Sequence, residues 1–370
     1  MCKRRLITIL ALCASFFAVC VIGLGAFTRL IDAGLGCPDW PGCYGHLTVP
    51  LADQARGYPD SHFITYKAWA EMIHRYFAGI LSILILAIVM LIVMRGRRDQ
   101  KHNVAYDSYK IMLRNQNKPF LTDTSELSIN VKLNVILAVC IIATVVYQII
   151  LGQLTVTLKL LPIIVTQHLL GGFFILSLLW LIYLNNKPNH IVLNENSMNG
   201  LMKYIIFSVI ALLVILFQII LGAWTSTNYA SLSCPDFPFC INDHPLMTMQ
   251  FRQAFDIFSP IGVNYDGGVL PEISRQTIQM SHRLGALIVT LYMLVFTAFA
   301  VFKFKSSIYL MKSIYIILTL LMIQLCIGIT NVIFKLPLIT AIGHTLIAGL
   351  LLQAILTLIY KLVIYQRKVS

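Results

Sequence analysis

Eight apolar stretches, each close to the length that crosses a bilayer, constrain this chain more than any other feature. They cover residues 6–27, 72–94, 133–152, 163–184, 202–222, 279–301, 308–328 and 338–363. Spanning ~30 Å of hydrocarbon takes about 20 helical residues. Backbone N–H and C=O groups have no water to bond there, so an all-α membrane fold of eight transmembrane helices is expected. The third and seventh stretches are short and run into Gln153 and Asn331. Charged residues make up only 12% of the chain and hydrophobic ones 58%, against about a quarter charged in a soluble domain. The first stretch follows Lys3, Arg4 and Arg5 as a signal peptide would. Its apolar run is too long for an h-region and no small-residue cleavage site closes it, so it reads as a retained helix.

Basic residues set the expected orientation. With the N-terminus inside, 19 of 28 Lys and Arg fall on inner segments. The longest inner loop carries Arg95, Arg97, Arg98, Lys101, Lys110, Arg114 and Lys118. Both termini are then cytoplasmic, and the net charge of +13 mostly reflects this bias. No motif points to nucleic acid, and a basic inner loop serves topology and lipid headgroups.

The chain repeats itself. Gly25-Ala26-Phe27-Thr28 aligns with Gly222-Ala223-Trp224-Thr225 at an offset of 197. The same offset carries Cys37-Pro38-Asp39-Trp40-Pro41-Gly42-Cys43 onto Cys234-Pro235-Asp236-Phe237-Pro238-Phe239-Cys240. His74-Arg75 meets His282-Arg283 at 208, and Gly152, Lys159 and His168 meet Gly328, Lys335 and His344 at 176. Two four-helix halves are expected, 1–184 and 202–370, joined by a polar cytoplasmic linker at 185–201. An even number of spans per half makes this a parallel repeat, related by a pseudo-twofold axis along the membrane normal. The outer loops are long enough to pack a cap.

Four histidines, two per half, lie near the starts of the second, fourth, sixth and eighth spans: His74, His168, His282 and His344. The topology puts all of them at similar shallow depth below the outer surface. His168 follows Pro162 by six residues and His344 follows Pro337 by seven. Imidazole inside a bilayer is costly unless it gains a partner, a proton path or a metal. Two facing pairs inside a helix bundle suit two haem irons, each gripped by two side chains. A hydrogen-bonded packing role is the alternative, and zinc lacks a closed set of four ligands. His46, His62, His102, His190 and His244 fall in loops and look incidental.

Arg75 and Arg283 follow the first histidine of each pair. They suit haem propionates or snorkel to headgroups. One asymmetry stands out: Glu71 precedes His74 by three residues, on the same helical face, where the other half has neutral Gln279 before His282. A membrane-embedded carboxylate beside a haem is a functional candidate, so the first half is expected to do proton-coupled chemistry while the second carries electrons. An i, i+4 ion pair from Glu71 to Arg75 is the blander reading.

Cys37/Cys43 and Cys234/Cys240 occupy equivalent outer loops. An oxidising exterior favours a disulfide in each, acting as a structural staple or as a redox-active pair. Two cysteines per loop offer no complete metal set. Cys2, Cys13, Cys20, Cys140 and Cys326 read as small apolar residues.

Taken together, Gly25-Ala26-Phe27-Thr28-Arg29-Leu30, the Cys37–Cys43 loop, Glu71-x-x-His74-Arg75, Gly152-Gln153-Leu154-Thr155 with His168, and their second-half counterparts resemble the haem A synthase family over nearly the whole chain. These are membrane enzymes that convert haem O to haem A for terminal oxidases. The resemblance implies an eight-helix, four-plus-four bundle. It implies that His74 and His168 hold the substrate porphyrin, that His282 and His344 bind haem b as a cofactor, and that Glu71 matches the family's essential acid. The first cysteine pair is associated with activity in the family, although some relatives lack it. The implied reaction oxidises a ring methyl of haem O to a formyl group by two hydroxylations through a geminal diol.

Implied partners are haem O, an upstream haem O synthase (a farnesyl transferase) and an electron donor that the sequence leaves unknown. A homo-oligomer is open. The short N-terminus without a transit peptide points to a bacterial inner membrane. Two other functions compete: a non-enzymatic dihaem b-type electron carrier, which Glu71 without a second-half equivalent argues against, and a haem transporter, which would want polar residues at the midplane.

Overall fold

The computed structural model describes residues 2–57, 63–114, 125–187, 200–240 and 249–369. His62, His190 and His244 lie outside the described residues, as do most of the linker, residues 241–248 and the side chains from Arg97 through Lys118. Nine α-helices are described: α1 (Cys2–Leu30), α2 (Thr65–Arg114), α3 (Ser125–Thr157), α4 (Pro162–Asn186), α5 (Leu201–Thr227), α6 (Phe251–Ala254), α7 (Glu272–Phe304), α8 (Ile308–Ile333) and α9 (Leu338–Val369). All but the four-residue α6 are long and apolar enough to cross a membrane, giving eight spans and a multi-pass membrane protein. Among the described residues the sole β-type pairing is a bridge between Cys43 and His46.

Two expectations about helix ends shift. The third and seventh spans are full length, Val131–Thr157 and Ile308–Ile333. Gln153 and Asn331 lie inside them, because an interrupted helix in lipid would strand backbone groups. In addition, α2 and α7 begin well before the apolar stretches that announced them, at Thr65 and Glu272. Their first turns are buried by loop residues rather than by lipid: Ala68 and Met72 pack with Cys37, Cys43 and Tyr44, and Ile278 packs with Trp224, Ala230 and Ala254.

Four helices end the same way. The N–H of Ala33 bonds the carbonyl of Thr28, Leu160 that of Thr155, Ala230 that of Thr225 and Leu336 that of Asn331. This five-residue return needs a left-handed residue just past the helix. Here that residue is never glycine: Asp32, Lys159, Tyr229 and Lys335 all have φ between 49° and 54°, a conformation costing roughly 1 kcal/mol for an L-residue.

Helix α1 packs on α2 and α4, while α3 packs on α4 and α2; α5 packs on α7 and α9, while α8 packs on α9 and α7. Thus α2 and α4 stand on one diagonal, and α7 and α9 on another. The two sets meet through α1–α9, α4–α5 and α4–α9, over a core of Ile, Leu and Ala such as Ala11, Ala14, Ala18, Leu179, Ile182 and Ile355. Polar ties also cross between the sets. Arg29 donates to the Ser226 carbonyl (2.7 Å) and lies over the Tyr229 ring. The Tyr229 hydroxyl sits 3.0 Å from Asp32 and 2.7 Å from Asp266, and its burial pushes the phenol pKa up. Gln353 donates to Ser177 at 3.0 Å, and the Phe173 ring fills the space that a side chain at Gly349 would need.

Candidate functional site

Each diagonal pair of helices brings two imidazoles face to edge. The His74 and His168 ring centroids are 6.5 Å apart with planes at 84°. His282 and His344 stand at 6.4 Å and 84°. Two metal–nitrogen bonds of about 2 Å, plus the rings' own radii, put facing imidazole centroids roughly 6 Å apart, so either pair fits one iron between its rings. All four histidines expected from the sequence are therefore brought together in the expected pairs.

A glycine on a neighbouring helix receives each ring. A Cβ on Gly25 would stand 3.0 Å from His74, on Gly222 3.0 Å from His282, on Gly328 3.1 Å from His344 and on Gly152 3.6 Å from His168. Nδ1 of His74, His168 and His344 is buried without a hydrogen-bond partner, and each of these residues is half-buried as a whole. A buried imidazole that the protein leaves unpaired is expensive in a membrane bundle, which fits a ring meant for a ligand. No cluster of three or more His, Cys, Asp or Glu among the described residues suits a metal ion, so zinc gains nothing.

Glu71 is buried beside the first pair. Its Oε2 accepts the Cys37 N–H at 2.9 Å, and its Oε1 pairs with Arg75 Nη2. The i, i+4 ion pair thus forms. Arg75 Nη1 also donates to the carbonyls of Pro41 (3.2 Å) and Gly42 (2.5 Å). In the second half, Gln279 is buried with its Oε1 unpartnered. Arg283 donates to the carbonyls of Cys234, Asp236, Pro238 and Phe239, with the Asp236 carboxylate near enough to act on it through charge. Both arginines clamp the cysteine loops, and Arg283 Nε is buried without a partner.

The loops are closed by Cys37–Cys43 and Cys234–Cys240 disulfides. Asp39 takes the Tyr44 and Gly45 amides at 2.6 and 2.8 Å, and a cis X-Pro bond stands in each loop, at Trp40–Pro41 and Phe237–Pro238.

Sequence reasoning missed the glutamines. Gln218 Nε2 lies 3.0 Å from His282 Nδ1 and donates to the His282 carbonyl at 2.9 Å. Gln324 Nε2 is 3.3 Å from His344 Nε2. A comparison of the halves position by position would have flagged Gln218, because Val21 stands at its place in the first half.

Fold and site together define a multi-pass helical membrane protein with two facing imidazole pairs beside disulfide-closed loops. The chain belongs to the COX15-CtaA family, cytochrome oxidase assembly proteins, whose family model matches residues 8–356. It is 37% identical over 352 residues to the heme A synthase of Shewanella oneidensis, covering 94% of this chain and 93% of that protein. It is also similar to the heme A synthase of Bacillus pumilus, 22% identical over 342 residues (91% of this chain, 89% of the relative). A shorter match is to that of Ehrlichia ruminantium, 28% over 205 residues (55% and 51%).

Proposed function

We propose that this chain is a haem A synthase, an oxidoreductase that converts a ring methyl of haem O to a formyl group. The carrying observation is a lone buried acid, Glu71, hydrogen-bonded beside one of two equal imidazole pairs. His74 and His168 hold and orient the substrate porphyrin. His282 and His344 would hold a resident haem b, whose contribution when bound would be electron transfer. Glu71 serves as the proton-handling group near the reacting carbon. Arg75 keeps its loop carbonyls through Nη1, so Nη2 can release Glu71 Oε1 to take a proton without the arginine leaving its place. The cap and its clamped loops exclude water from this corner.

The two halves, 1–184 and 202–370 about the 185–201 linker, are read as parallel repeats around a pseudo-twofold axis. Cross contacts support this. Arg29–Ser226 and Asp32–Tyr229 are each separated by 197 residues, and Ser177–Gln353 by 176. Those separations are the repeat offsets themselves, so each residue touches its own equivalent, as happens only near a twofold axis.

We place the cap on the outer face of a bacterial inner membrane, with both termini cytoplasmic, on the distribution of basic residues. Haem O as substrate and an electron donor complete the reading. Pigment extraction tests it. The purified protein should yield haem b together with haem O, haem A or a hydroxylated intermediate. Haem b alone would instead make it a dihaem electron carrier.

A further inference from the structure

We infer that Gln218 is a positioning residue that locks His282 in place, so that the second cleft keeps its porphyrin while the first is built to exchange its own. The inference rests on the bis-imidazole reading above. Gln218 reaches His282 twice, at Nδ1 and at the main-chain carbonyl. The room for its amide comes from Gly285, where any side chain would collide with it. In the first half the two matching positions, at offsets 197 and 208, are Val21 and Phe77. Phe77 instead stacks on Phe17 with centroids 5.4 Å apart, and His74 Nδ1 has no partner. Two positions on two helices have therefore changed together, one supplying the amide and one the space for it. The lock lies at His282 alone: Gln324 approaches His344 at Nε2, the nitrogen an iron would take, His344 Nδ1 has no partner, and the equivalent Gln148 lies over Gly171 with Nε2 unpartnered.

The chemistry favours this division. A histidine bound to iron through Nε2 presents Nδ1–H as a donor, and an acceptor there fixes the ring and raises ligand basicity. Gln218 Oε1 is buried and unpartnered; a half-turn of the amide offers it to that N–H and gives up the bond to the His282 carbonyl. A ring fixed beforehand loses less freedom on binding and releases its ligand slowly. A cofactor needs that; a substrate that must leave as product does not.

The test uses the full-length, pigment-loaded protein and follows haem b transfer to apomyoglobin together with the midpoint potential of the second-half haem. Gln218→Val, which copies the first half, should weaken retention about 10–100-fold and raise the potential. Gln218→Met, which fills the space without the acceptor, should behave as Val does. Gln218→Glu should restore retention and lower the potential. Conversely, Val21→Gln with Phe77→Gly should slow product release from the first cleft. Wild-type retention and potential in both the Val and Met variants would overturn the inference. His282→Ala separates it from the reading beneath. Unchanged haem b content in His282→Ala would remove the bis-imidazole site itself, whereas loss of haem there with wild-type behaviour at Gln218 would remove only the role of the glutamine.

Discussion

The two clefts share their ligand geometry almost to the tenth of an ångström, 6.5 against 6.4 Å with both pairs at 84°, yet they differ one residue away from it. The first has an acid on the turn before its histidine, tied to an arginine and to a disulfide-loop amide. The second has a neutral glutamine there, and an arginine whose two Nη groups hold loop carbonyls. The two halves therefore match in their imidazole pairs and differ in the acid beside them. The contrast teaches that function divides at the neighbours of the ligands, and each experiment below presses on one such neighbour.

The largest effect is expected at Glu71. Glu71→Gln should cut haem A formation about 10²–10⁴-fold, the usual worth of a positioned proton-transfer group, while both pigments stay bound. Gln279→Glu, which gives the second cleft the same acid, should not raise turnover. Full activity of Glu71→Gln in a membrane assay would end the division between the clefts.

The disulfides come next. Each closes a loop of six residues' separation, so losing either should lower stability by about 2 kcal/mol. Only the first also positions a donor to Glu71, through the Cys37 N–H. Cys37→Ala/Cys43→Ala should therefore depress turnover as well as melting temperature, and Cys234→Ala/Cys240→Ala melting temperature alone. Equal turnover in the two double variants would leave the first bridge as a staple only.

Much of this was legible beforehand, for identifiable reasons. Apolar runs give spans because lipid demands them. The offsets of 197, 208 and 176 paired the histidines because a repeat must place equivalent residues at equivalent depth. What escaped was tertiary. The run 65–71 lies outside the apolar stretch, because its burial comes from the Cys37 loop rather than from lipid. Arg75 and Arg283 were matched to propionates or headgroups, since carbonyls of a folded loop some 33–49 residues away leave no trace in spacing. The glutamine contacts to histidine cross 64 and 20 residues between helices, and a glutamine in an apolar run names no partner.

The glycines beneath the rings sharpen the comparison further, because three are tight and one is loose. Gly25→Ala, Gly222→Ala and Gly328→Ala each push a new methyl to within about 3 Å of an imidazole. The ring must yield by a few tenths of an ångström, and overpacking of that sort costs about 1 kcal/mol at its low end. Gly152→Ala meets His168 at 3.6 Å, ordinary contact, and alanine is the better helix former by up to about 1 kcal/mol. Pigment retention during a thermal ramp should fall for the first three variants and hold or rise for Gly152→Ala. A uniform response would mean that the rings do not rest on these glycines.

The smallest effect is expected where the halves touch in the cap. On the proposed pseudo-twofold reading, identical residues would face themselves there; Asp32 would meet an aspartate, and like charges at contact repel. Instead Tyr229 stands opposite Asp32 and reaches Asp266 as well. The complementary pair makes the halves fit each other better than either fits a copy of itself. Tyr229→Phe deletes the hydroxyl but keeps the ring beneath Arg29. With Asp32 and Asp266 both open to solvent, the loss should be no more than about 1 kcal/mol, read as a slightly lower melting temperature with pigments and turnover intact. Tyr229→Asp, which restores like facing like, should cost more than Tyr229→Phe. If the two variants melt together, charge complementarity at the axis contributes nothing to holding the halves in register.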